Sequence, residues 1–228
     1  MPTPMTRLPQ LRSSSRVWLT CAAAAVALGA ASLSTVVAQT RSAHTVKILH
    51  VFDSAKDGYV VSGVTLAPDG NLYGVTGNGG PTGGGALFRV TPGGGYATIA
   101  GLPDSVGNNS EAGLTVGPDG LLYGTTPFTI TNSSGGTVFK VTLAGMFTPL
   151  FAAASNTSFF SARVTFDTRG TLFGVTRDFG AGNSTAYKLV ASGHKTVLVT
   201  FNPKSYFGLL PNALALGPDG NFAERRSM

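Results

Sequence analysis

Three features of the sequence point to an all-β chain. One segment returns every fifty residues, with Gly70, Gly120, Gly170 and Gly220 in the same column. Apolar residues alternate two apart in short runs bounded by glycine and proline, which is the period of a half-buried strand. Nothing after residue 38 sustains an apolar period of 3.6 residues, so helices should be nearly absent there. The bulk composition agrees: of 228 residues 43% are hydrophobic and only 11% charged, with 31 Gly and 13 Pro. Such a chain can bury a core, and it is neither a helical bundle nor a charged disordered tail.

The first element stands apart from the rest. Arg7, Arg12 and Arg16 precede a weakly apolar run from Val17 to Ala38 that ends Val36-Val37-Ala38 before Gln39. A basic start, an apolar middle and small residues at a cleavage point make a secretory signal peptide, helical over 1–38 and cut after Ala38. An uncleaved membrane anchor is the rival, although Ala, Ser, Thr and Gly give the run little transfer energy. Cys21 follows Trp18-Leu19-Thr20, where a lipidation site wants Leu and then small residues, and the arginines are not adjacent as a twin-arginine signal requires. The export signal also accounts for half of the net charge of +6, because those three arginines face no acid. The remaining basic residues are scattered, so no nucleic-acid face is expected. After cleavage no Cys remains, which excludes disulfides, thiol catalysis and cysteine metal sites.

The mature region, residues 39–228, reads as a single repeat domain. Thr45 to Phe52 looks like a strand without a blade of its own, able to complete another by pairing across a ring closure. Each repeat then opens on an alternating pair: Val64 and Leu66, Leu114 and Val116, Val164 and Phe166, Leu214 and Leu216. A hairpin turn follows as Pro68-Asp69-Gly70, Pro118-Asp119-Gly120, Thr168-Arg169-Gly170 and Pro218-Asp219-Gly220. The returning strand carries Leu-Tyr-Gly or Leu-Phe-Gly. Its glycines (Gly74, Gly124, Gly174) imply a close approach by the backbone of a neighbour. A Gly/Asn/Ser-rich loop leads to a third strand, in which Phe88, Phe139 and Tyr187 share a face with Val90, Val141 and Leu189 and should be core. A fourth strand runs from Phe147 to Phe151 in one copy and from Thr196 to Phe201 in the next.

Four antiparallel strands in about fifty residues make one blade of a β-propeller-like array. A parallel β-helix is the runner-up, but its coils are shorter and lack regular hairpins. The repeats span about 53–102, 103–152 and 153–202, with a partial fourth over 203–222 and an aberrant tail at 223–228. That tail reads Ala223-Glu224-Arg225-Arg226-Ser227-Met228 where a Leu-Tyr-Gly-Thr-Thr continuation is expected. A single-base deletion in the coding sequence is one origin for it, and the edge of a cloned fragment is another. Three blades and two strands do not close a ring of four to eight blades, so an open arc or self-association through its raw ends is expected.

The segment Asp-Gly-Asn-Leu-Tyr-Gly-Val-Thr from Asp69, the loop Gly77–Gly85 and Ala-Leu-Phe-Arg-Val-Thr-Pro from Ala86 together resemble the GloVer tandem repeat. The copy with Leu-Tyr-Gly-Thr-Thr at Leu122 and Gly-Thr-Val-Phe-Lys-Val-Thr at Gly136 matches most closely, and the resemblance runs from about Val46 to Phe222. It implies an exported bacterial propeller-like protein of a kind that carries varied C-terminal surface anchors. It assigns no activity, and the absence of an anchor-like segment after the repeats leaves surface attachment unexpected from these residues.

Residues with chemistry are few, and each has a plain structural reading. Asp69, Asp119 and Asp219 could bind calcium, but each is the turn residue of a separate blade. Asp53 and Asp57 flank a loop with Gly58 and have no third ligand in register. Gly77–Gly85 lacks the Gly-Lys-Ser/Thr ending of a phosphate loop and precedes a strand, so it reads as a hairpin loop. His44, His50 and His194 share no ligand spacing, and Gly182-Asn183-Ser184-Thr185-Ala186 echoes a nucleophile elbow without the helix that motif needs. Arg89, Lys140 and Lys188 form an outward basic stripe that keeps a sheet soluble or meets anionic glycans. No catalytic, cofactor or metal residue is therefore assigned, and no cofactor is expected. The expected role is a non-catalytic binding or scaffold module of the envelope or extracellular space, its loops recognising a glycan, peptide or protein, without nucleic acid and without a membrane after cleavage. The alternatives are a lactonase- or lyase-type propeller enzyme, disfavoured by the presence of just two Glu (Glu111 and Glu224), and a truncated product without function.

Overall fold

The computed structural model describes residues 46–128, 135–153, 159–160, 162–177, 184–201, 211–217 and 222–226. The expected signal helix, His44, Asn183 and Asp219 lie outside them. The described chain is all-β, without a helix. Blade 1 contains β1 (Tyr59–Val61), β2 (Thr65–Leu66), β3 (Leu72–Asn78), β4 (Ala86–Val90) and β5 (Tyr96–Gly101). Its innermost row is split, because β2 pairs with the start of β3 and β1 with its end. Blade 2 is β6 (Thr115–Val116), β7 (Leu122–Phe128), β8 (Gly135–Val141) and β9 (Phe147–Ala152). Blade 3 is β10 (Thr165–Phe166), β11 (Leu172–Thr176), β12 (Ser184–Leu189) and β13 (Lys195–Phe201). Each is an antiparallel meander, and a two-stranded sheet of β14 (Pro211–Leu216) and β15 (Phe222–Arg226) follows. The tail residues Ala223 to Arg226, whose sequence leaves the repeat, still form a returning strand.

The hairpins have a shared geometry. Ala67 N donates to Asn71 O and Gly70 N to Ala67 O, closing a three-residue loop in which Gly70 alone takes a left-handed φ, of 79°. Gly120 and Gly170 repeat it at 77° and 80°. The carboxylate of Asp69 accepts from Asn71 N (3.1 Å) and from Tyr73 Oη (2.9 Å); that of Asp119 accepts from Leu121 N and from Tyr123 Oη (2.8 Å). In the third copy Arg169 stands at this position and Phe173 replaces the tyrosine, so Asp167 takes over, accepting from Arg169 N and Thr171 N.

The repeated glycine of the returning strand makes room for a ring rather than for backbone. Gly74 stands opposite Phe88, Gly124 opposite Phe139 and Gly174 opposite Tyr187. A Cβ at these three positions would lie 2.4, 2.5 and 2.4 Å from the ring's far end. The aromatic of the third strand lies flat over the glycine of the second, and all three rings are buried. Full burial of such a side chain contributes about 1.5–3 kcal/mol.

Blades pack face to face. Tyr73, Val75 and Leu87 of blade 1 meet Leu122, Phe139 and Val141 of blade 2 in one apolar cluster. The opposite face of blade 2, with Tyr123 and Val138, meets Leu172, Tyr187 and Leu189 of blade 3. Every outer strand carries a bulge at the same register, at Ile99, Leu150 and Leu198. The bulge turns Ile99 and Leu150 onto the inter-blade clusters.

Two further expectations fail. Arg89, Lys140 and Lys188 stand cross-strand from Tyr73, Tyr123 and Phe173, half-buried on inter-blade faces, so they form no outward stripe. Each inner sheet face here is covered by the next blade. Val46 to Phe52 forms no strand. Its rings instead cover blade 1: His50 stacks on Tyr96 with centroids 3.4 Å apart, and Phe52 meets Phe88 edge-on at 5.2 Å. Phe88 would otherwise face water, and shielding it takes the segment away from any ladder.

Candidate functional site

The innermost strands of the blades have no ladder between them, so hydroxyls join them. Thr65 Oγ1 donates to Leu114 O and Thr115 Oγ1 to Val164 O, each at 2.6 Å. The two bonds are fifty residues apart and equivalent. Strands β2, β6, β10 and β14 together enclose a cleft of about 380 Å³, which Thr65, Leu66, Thr115, Val116, Arg163 and Thr165 help to line. Leu66 is 64% exposed there, a large apolar side chain left facing the opening.

Arg163 is the one charged group among these residues. Its Nη2 reaches Thr65 Oγ1, 98 residues earlier in the chain, at 3.5 Å. That is a weak contact for a guanidinium. The side chain crosses two blades because both are bare beneath it: a Cβ at Gly113 would lie 2.7 Å from Nη2, and one at Gly63 would lie 3.8 Å away.

A wider groove of about 800 Å³ runs beside His50, Asp57, Tyr96 and Thr98. Sequence spacing gave no reason to join these residues, yet the structure does. Asp57, 7% exposed, accepts from His50 Nε2 (2.8 Å), Asp53 N (3.0 Å) and Thr98 Oγ1 (2.9 Å). Burial alone would raise its pKa, but these hydrogen bonds outweigh burial and hold the carboxyl below the ordinary carboxylate value. Its oxygens are thus committed to pinning the segment. Asp53 is equally occupied, with Oδ1 accepting from Ala55 N and Lys56 N.

The remaining candidates fall apart from one another. The Gly77–Gly85 loop bonds to itself through Gly79 N to Gly83 O and Gly85 N to Gly79 O, and Gly80 N donates to Ser54 O. His194 lies in the turn after β12, where its carbonyl accepts from Val190 N. Ser184 and Thr185 are within β12, with no helix behind them. A cage formed by Phe151, Phe160 and Tyr187 already holds Lys195 Nζ at 5.2–5.5 Å from each ring centre, and burial lowers the pKa of that amine. Among the described residues no group of three His, Cys, Asp or Glu is placed to hold a metal.

Solved structures similar to the chain include the periplasmic gluconolactonase of Pseudomonas aeruginosa, with 20% identity, 75% of this chain and 51% of that one covered, and a TM-score of 0.47. A protein of unknown function from Dyadobacter fermentans matches at 17% identity over 68% of this chain and 53% of that one, with a TM-score of 0.45. A protein described provisionally as a gluconolactonase matches at 20% identity over 72% and 62%, also with a TM-score of 0.45. The chain thus spans between 51% and 62% of the length of these structures. No curated protein matches it. A family model does, over residues 22–223, a span that takes in all three blades. On that match the chain belongs to the Gloeobacter/Verrucomicrobia repeat family.

Proposed function

We propose that the chain is an exported, non-catalytic binding module whose ligand site is the cleft ringed by its innermost strands. One observation carries the reading: the cleft is walled by threonine, leucine, valine and one arginine from successive blades. Those side chains can hold and orient a ligand through hydroxyls, a cation and apolar contact. None of them transfers a proton readily near neutral pH. The rigid frame of stacked blades fixes their spacing before the ligand arrives, which lowers the entropy cost of binding. The volume falls within the usual range for small-molecule sites, about 300–1,000 Å³.

The test is to fill the cleft. Leu66→Trp adds bulk at a position already exposed, so the blades should melt at the temperature of the unaltered chain. Purified protein is incubated with envelope polysaccharide and sedimented, and release of reducing sugar is followed in the same tubes. Retention by the unaltered chain, its loss in Leu66→Trp and no product release support binding through the cleft. Equal retention by both proteins, or turnover of the polysaccharide, overturns it.

A further inference from the structure

We infer that Arg163 makes this cleft selective for a hydroxylated carboxylate, a sugar-acid unit of the uronate type. The inference rests on the cleft being the ligand site, and it adds what the ligand must carry.

The first ground is register. Gly63, Gly113 and Arg163 occupy one column of the repeat, directly before the inner strands of blades 1, 2 and 3. In the third copy the glycine is replaced by the longest cationic side chain. The two remaining glycines leave the space that it crosses, since a side chain at Gly113 would collide with the guanidinium. Three blades therefore contribute to one cation position.

The second ground is what the guanidinium touches. It offers five N–H donors in a planar fork. The contact made to it is a neutral threonine hydroxyl at 3.5 Å, and no carboxylate among the described residues pairs with it. Arg163 is exposed at the cleft, so a ligand can reach the fork without displacing a salt bridge to any described residue. A planar fork matches a carboxylate with two parallel hydrogen bonds.

The third ground is the hydroxyl chemistry around it. Thr65 and Thr115 each spend their single proton on the carbonyl of the next blade. Toward the cleft these oxygens can therefore only accept, and a ligand must donate to them. A molecule that presents a carboxylate to Arg163, hydroxyl donors to Thr65 and Thr115 and a C–H face to Leu66 is a sugar acid. An aliphatic acid lacks the donors, and a neutral sugar leaves the fork unmatched.

The experiment is calorimetric titration of the full chain with galacturonate, trigalacturonate, maltotriose and glucose 6-phosphate, repeated on Arg163→Met, Arg163→Lys and Leu66→Trp. The uronates should bind at least tenfold tighter than maltotriose. Arg163→Met should lose that advantage tenfold or more, and Arg163→Lys should recover part of it as a point charge without the fork. Tighter binding of the trimer would identify an acidic polymer as the source, and equal binding a free sugar acid. Preference for glucose 6-phosphate over the uronates overturns the carboxylate assignment. If Arg163→Met binds the uronates unchanged while Leu66→Trp abolishes binding, the anion role is wrong and the cleft stands. If neither variant changes binding, both readings fall.

Discussion

Alanine at Gly124 would place a methyl group 2.5 Å from Phe139 Cζ and 3.0 Å from both Phe139 Cε1 and Leu114 Cδ2. Backbone strain is not the reason for the glycine, because its φ is not left-handed. On chain entropy alone the substitution should stabilise by about 0.4–1 kcal/mol. The clash works against this gain, and the ring has no free direction to yield. Phe139 is fully buried in the cluster between blades 1 and 2, with Phe147 at 5.5 Å between ring centres. Overpacking of a tight core costs about 1–3 kcal/mol, so a net loss of about 1–2 kcal/mol is expected for Gly124→Ala. Phe139→Leu alone should also destabilise, by about 1–2 kcal/mol for the lost ring. The double variant should be less destabilised than the sum, because leucine vacates the space that the methyl needs. A coupling of at least about 1 kcal/mol is expected for side chains in direct contact. Urea denaturation of the four proteins, compared at unchanged m-value, measures it. Strict additivity, or a Gly124→Ala protein as stable as the parent, would refute the idea that the repeated glycine exists to seat the ring.

Three further outcomes follow from the same geometry. Tyr123→Phe removes the hydrogen bond to Asp119 and should cost about 1 kcal/mol in urea; the third blade already carries Phe173 at this position, so Phe173→Tyr should gain nothing. Hydrogen bonds hold the folded pKa of Asp57 below the ordinary carboxylate value, so its contribution is present above the unfolded value and lost as pH falls through the folded one. Asp57→Asn should therefore be less stable at neutral pH and show a shallower loss of stability below about pH 4 in acid titrations followed by fluorescence. If the export reading holds, mass spectrometry of protein recovered outside the cytoplasm should find Gln39 as the first residue, and a retained Met1 would contradict it.

What the sequence made legible was local and periodic. The turns could be read because Pro-Asp-Gly specifies its own geometry. Phe88, Phe139 and Tyr187 could be placed in the core because a strand alternates every two residues. The rest depends on what one blade does to the next. The bulges at Ile99, Leu150 and Leu198 sit inside apolar runs whose pattern looks unbroken in sequence. The basic residues at Arg89, Lys140 and Lys188 alternate as an exposed face would, and only stacking covers them. Arg169 and Phe173 stand where the first two copies carry the turn aspartate and its tyrosine. That is a paired change, visible once Asp69 and Tyr73, and Asp119 and Tyr123, are known to touch. Val46 to Phe52 has the composition of a strand, and ring packing on Tyr96 and Phe88 overrides it. Arg163 breaks a column that holds Gly63 and Gly113 in the first two copies, a sign too slight to single it out, and its reach across 98 residues to Thr65 depends on stacking.

The most direct test of the account is to map where a ligand sits. Trigalacturonate titrated into isotopically labelled protein should move the backbone amide signals of Thr65, Thr115 and Arg163 most, with saturation at a single stoichiometry. Shifts concentrated instead around His50, Asp57 and Tyr96, or in the glycine turn at Gly79 to Gly85, would place the site elsewhere and contradict the claim that the inner strands form it.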